Sequence, residues 1–92
     1  MACLYQIQHC EQLSRYLPLI QKHDGLLLIE QALLLINQPQ ALAELQARGI
    51  PIYALLRDQQ ALGLTTQPDW LKSLTDEQWV ALTLEFDRVC CG

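Results

Sequence analysis

Hydrophobic positions change their spacing repeatedly along this chain, and each change marks a short element. Cys3-Leu4-Tyr5-Gln6-Ile7 predicts a strand at the amino end, and Gln8-His9-Cys10 predicts the turn after it. Leu13, Tyr16, Leu17 and Ile20 then recur at i, i+3, i+4 and i+7, the stripe of an amphipathic helix. Pro18 falls inside that stripe, where its missing amide donor should kink or shorten the helix. His23-Asp24-Gly25 closes the segment, with Gly25 expected to take a left-handed cap conformation. Leu26-Leu27-Leu28-Ile29 is apolar without alternation, which fits a strand buried on both faces of a sheet and ending at Glu30. Gln31 to Ile36 reads equally as helix or loop.

Asn37-Gln38-Pro39 breaks the pattern, and Gln40 to Arg48 predicts a helix with Leu42 and Leu45 inward and Gly49 as its cap. Ile50 to Leu55 is the next strand, carrying Pro51 at its start where a missing donor is tolerated. A short helix over Arg57 to Leu62 stops at Gly63, a loop covers Thr65 to Asp69, and Trp70 to Leu74 predicts a fourth strand. Thr75 and Gln78 have the spacing of a capping box, followed by Trp79, Leu82 and Phe86 as an inward stripe. Val89-Cys90-Cys91 is a short terminal strand or tail. Strands alternating with helices predict a single α/β domain over residues 1–92, with a small, mostly parallel sheet of four or five strands covered on both faces.

Composition narrows the function classes. Charged residues make up only 17% of the 92 positions, against roughly 25% in an average domain. Leucine fills 20 positions and glutamine 12, so the polar surface is largely uncharged amide and apolar patches are expected to meet partners. A net charge of −4, with Arg15, Lys22, Arg48, Arg57, Lys72 and Arg88 scattered singly, argues against direct nucleic-acid binding. No apolar run is long enough to span a membrane, and the start has no secretory pattern, so a soluble, intracellular chain is expected.

Four cysteines are expected to be reduced thiols. Cys3 should pack as a small apolar residue in the first strand, while Cys90 and Cys91 point to opposite sides if the tail is a strand. Cys10 is the sharpest chemical candidate. It stands at the carboxyl end of a strand and the start of a helix, beside His9, an arrangement suited to a persulfide-carrying thiolate. The competing reading is an unreactive thiol in a turn. Glu30 has no acid/base partner in sequence, and reads as a capping or interface carboxylate. No Cys-x-x-Cys occurs, His9 and His23 lie at opposite ends of a helix, and no phosphate-binding glycine loop is present, so neither metal nor cofactor is expected. Tyr53, Trp70 and Trp79 are candidate interface anchors, although Trp79 reads equally well as core and Trp70 as a cover over a loop.

The strand Leu4-Tyr5-Gln6-Ile7 and the block Asp24-Gly25-Leu26-Leu27-Leu28-Ile29-Glu30 form a pattern with Ala47-Arg48-Gly49-Ile50 before Ile52-Tyr53-Ala54-Leu55. Asp58, Gly63-Leu64 and the ending Trp79 to Val89 complete it. Together they resemble the TusB/DsrH family, the smallest subunits of sulfur-relay complexes, over nearly the whole chain. That resemblance implies a layered α/β/α fold like the DsrE group and a heterohexamer with TusC-like and TusD-like chains. In such a relay a persulfide passes from TusA to a cysteine of TusD. It moves on through TusE to the enzyme that thiolates the tRNA wobble uridine. The TusB-like chain is then a structural, non-catalytic member.

Three departures from the family pattern occur, of which the first bears on the branch and the other two on surface detail. Chains from sulfur oxidisers carry a cysteine in the first helix, which aligns at about Tyr16 here and so favours the TusB branch. Gln31-Ala32 follow Glu30 where the family often has Asp-Gly, and Cys90-Cys91 replace an aromatic near the carboxyl end. The alternatives are a sulfur-transfer protein working through Cys10, a DsrH-type subunit of sulfur oxidation, or an unrelated α/β binding domain.

Overall fold

The computed structural model describes residues 2–37, 39–63 and 68–91. Five strands, β1 (Cys3–Ile7), β2 (Gly25–Leu28), β3 (Ile52–Leu55), β4 (Leu71–Leu74) and β5 (Arg88–Cys91), form one sheet in the order β4-β3-β2-β1-β5. Every neighbouring pair is parallel. Between them lie α1 (Glu11–Tyr16), α2 (Pro39–Ala47), α3 (Leu56–Ala61) and α4 (Asp76–Glu85), with 3-10 helices at Leu17–Leu19 and Glu30–Asn37.

Connection handedness distributes these helices. Successive strands from β1 to β4 step across the sheet in one direction, so right-handed crossovers put α1, α2 and α3 on one face. The return from β4 to β5 crosses the other way and places α4 on the opposite face. Side chains sort accordingly. Ile7, Leu26, Leu28, Ile52, Ala54 and Leu71 pack with Leu13, Leu33, Leu42 and Leu45 in the main core. Leu4, Leu27, Ile29 and Leu55 form a smaller core with Leu82 of α4. Central β2 is buried at every position, as its unbroken apolar run predicts.

Local sequence explains most boundaries. Pro18 does shorten the first helix, which ends at Tyr16 and continues only as a 3-10 turn. The ambiguous stretch after β2 is the longer 3-10 helix. Its three-residue repeat buries the pairs Ala32/Leu35 and Leu33/Ile36 and turns Gln31 and Leu34 outward. After α2, Gly49 adopts φ +76°. Its N–H bonds the Gln46 carbonyl and the Ile50 N–H bonds that of Leu45, closing the helix in a Schellman motif. At Thr75 the capping box is complete. Its Oγ1 accepts from the Gln78 N–H at 3.2 Å, and Gln78 Oε1 accepts from the Thr75 N–H at 2.9 Å. The chain end is a paired strand, so β5 makes the sheet five-stranded. Most of the expected Thr65 to Asp69 loop lies outside the described residues, as does the side chain of Cys91.

Gly25 departs from expectation. It is absent from the positive-φ residues and opens β2 rather than capping a helix. Its smallness serves packing instead: a Cβ there would stand 2.9 Å from Phe86 Cζ and 3.3 Å from Tyr53 Cε2. Gly25→Ala should cost about 1 kcal/mol, because Phe86 must tilt off the second core. A urea midpoint equal to wild type would show that the ring yields freely.

Candidate functional site

The carboxyl ends of β1 and β2 form an open groove. Gln8-His9-Cys10 leaves β1 beside Glu30-Gln31, which leaves β2, and backbone bonds from Ile29 N–H to the Ile7 carbonyl and Ala32 N–H to the Gln8 carbonyl lock the two exits together. The groove has a volume of about 400 Å³ and is lined by His9, Cys10, Glu11, Gln31 and Leu34. His9 Nδ1 lies 3.3 Å from Gln31 Oε1, and the half-buried Cys10 thiol donates to the Gln31 carbonyl at 3.6 Å. Cys10 is therefore where the sequence predicts it, at a strand end beside His9, but no side chain caps the short helix it introduces.

Gln12 organises this loop, and sequence inspection passed over it. Buried in the first turn of α1, its Oε1 accepts from the Gln8 N–H at 2.7 Å and the His9 N–H at 3.0 Å. Its only sequence signal is a polar residue next to Leu13, which a period argument treats as solvent-facing. Glu30 combines a strand end with backbone strain: it holds φ +52°, rare for a residue with a Cβ, and its N–H donates to Asp58 Oδ2 at 2.9 Å. Asp58 thus serves as a clamp from α3 onto β2. Among the described residues no group of three or more His, Cys, Asp or Glu side chains could hold a metal ion.

The three candidate anchors are half-buried. Trp70 packs on the main core, and Tyr53 and Trp79 pack on the smaller one. Burial, and secondarily Glu85, push the Tyr53 hydroxyl above its usual range, and Lys72 Nζ stands 5.7 Å from the ring centroid. More accessible apolar groups occur elsewhere. Leu84 is 82% exposed and Val80 59%, one turn apart on α4, with Leu19, Leu34 and Leu56 also open. Of the scattered cations, Arg48, just past the end of α2, pairs with Glu44 of that helix, and Arg57 approaches Asp76 at 3.5 Å.

The family model described as "DsrH like protein" matches residues 8–89, which takes in every helix and the strands β2, β3 and β4, and leaves out β1 and the end of β5. The chain belongs to the DsrH-like family. Among solved structures, this DsrH-like chain is similar to the ychN protein from E. coli, with a TM-score of 0.77 and 18% identity over 100% of both chains. At that identity the likeness concerns the fold, a layered α/β/α arrangement on a parallel sheet. A search of curated proteins finds no match. Among the described residues, no helix of this DsrH-like chain is long and apolar enough to cross a membrane. Tyr16, where sulfur oxidisers are expected to carry cysteine, ends α1 with its ring 5.4 Å from that of Tyr5.

Proposed function

We propose that this DsrH-like chain is a non-catalytic, cytoplasmic subunit of a TusBCD-type sulfur-relay complex that supports 2-thiolation of the tRNA wobble uridine. Family membership is the observation that carries the reading. In such a complex the chain packs against a TusC-like neighbour, and the sulfur-accepting cysteine resides on a TusD-like chain, loaded by a TusA-like donor and unloaded by a TusE-like carrier. The low charge and the open apolar side chains of α4 are consistent with a subunit whose role is assembly. Scattered cations leave tRNA contact to other members.

Co-expression with TusC-like and TusD-like chains, followed by native mass spectrometry and a thiouridine assay, tests this. A heterohexamer is expected, and Cys10→Ser should leave both assembly and thiolation within about twofold of wild type, because a serine hydroxyl can still donate to the Gln31 carbonyl. Thiolation lost while the hexamer persists would transfer the chemistry to Cys10, in the groove with His9 and Gln31. A chain that stays alone would remove the relay-subunit reading.

A further inference from the structure

Two cysteines distant in sequence meet at the opposite end of the sheet from Cys10. Cys3 lies opposite Arg88 and Cys90 opposite Tyr5 in the β1–β5 ladder, so Cys3 and Cys90 are diagonal neighbours on one face. Their sulfurs stand 2.7 Å apart. That is closer than two carbons at their optimal non-bonded distance of about 3.5–4.0 Å, and not far above the bond length of about 2.05 Å in a disulfide. Both residues are half-buried and line a cleft of about 190 Å³ with Tyr5, Leu19, Asp24 and Arg88, through which a small reagent can reach them.

We propose that Cys3 and Cys90 are a reversible dithiol/disulfide site that clasps the carboxyl-terminal strand β5 to β1, with a low-molecular-weight disulfide as oxidant. In the first step the Cys90 thiolate attacks one sulfur of the oxidant, forming a mixed disulfide and expelling one thiolate, which takes up the proton Cys90 gave up. In the second step the Cys3 thiolate attacks Cys90 Sγ, forming the Cys3–Cys90 bond and expelling the second thiolate, protonated in turn. Two thiols lose two electrons and two protons, and the oxidant disulfide takes up both to become two thiols.

Burial first, then the neighbouring Cys90 and the Asp24 carboxylate, push the Cys3 thiol up to about 11, which keeps it a neutral thiol near neutral pH and suits it to the second step. Closure has to bring the two sulfurs from 2.7 Å to the bond length of about 2.05 Å. A shift that small is one that β5, an edge strand paired on one side only, can accommodate. The site stands independently of the relay reading.

The test uses the full chain, incubated anaerobically with oxidised glutathione, alkylated, and digested without reductant. The expected product has a mass lower by two hydrogens, two alkylatable thiols of the original four, and a cross-linked peptide joining Cys3 to Cys90. Dithiothreitol reverses it, and closure raises the melting temperature by roughly 10 °C. Cys10→Ser should close like wild type, whereas Cys3→Ser should stop at the mixed disulfide on Cys90. Four alkylatable thiols at equilibrium would overturn the proposal, as would persistent mixed disulfides in wild type, a Cys90–Cys91 bond or a link between two chains.

Discussion

Replacing Asp24 with alanine is expected to remove about 3 kcal/mol of stability, a large part of the roughly 5–15 kcal/mol that holds a domain folded. The side chain is buried, and each carboxylate oxygen accepts a backbone N–H: Cys3 at 2.9 Å through Oδ1 and Gln21 at 2.8 Å through Oδ2. One oxygen anchors the start of β1 and the other shapes the turn that delivers the chain into β2. Alanine leaves two partly buried donors without an acceptor, each costing about 1–3 kcal/mol. An asparagine side chain would keep one oxygen acceptor, so Asp24→Asn should fall about midway. Urea unfolding followed by circular dichroism measures all three. An alanine variant within about 0.5 kcal/mol of wild type would mean that water replaces the carboxylate at both amides.

Replacing Gln12 with leucine should cost about 2–3 kcal/mol and loosen the loop that carries Cys10. Leucine keeps the helix and the burial but offers no acceptor to the Gln8 and His9 amides. Gln12→Glu retains an acceptor oxygen and should stay within about 1 kcal/mol of wild type despite the charge it adds. A second readout separates loop disorder from simple instability. Alkylation of Cys10 by iodoacetamide under native conditions should speed up in the leucine variant and not in the glutamate one. Equal alkylation rates in all three proteins would show that Gln12 does not hold the loop.

Much of this fold is written in local chemistry. The Thr75–Gln78 box, the Gly49 stop and the Pro18 interruption act through groups within one helical turn, and each is visible in a short window of sequence. The unbroken Leu26-Leu27-Leu28 run likewise identifies the strand buried from both sides. Gly25 shows where such reasoning stops. Asp-Gly after a helical stripe reads as a cap, yet the glycine is required because Phe86, from the far end of the chain, leans over β2. The groove was partly legible in the same way. Cys10 and His9 sit at a strand exit that the pattern of β1 predicts, but Gln31 joins them only because β1 and β2 are neighbours.

What the sequence determined alone is therefore the list of elements, the alternation that makes the sheet parallel, and the residues of DsrH-like pattern that identify the family. The elements and their alternation follow from periodicity, capping and turn chemistry, whose range is a few residues, while the family pattern is a resemblance spread over the chain. The tertiary structure decided the strand order and everything that depends on it. Inserting β5 beside β1 sends α4 alone over the second face, leaving Val80 and Leu84 open. It also brings Cys90 to Cys3 across 87 residues of chain. Contacts of that range depend on which strands pair, and pairing is chosen by the burial of whole faces rather than by any short segment.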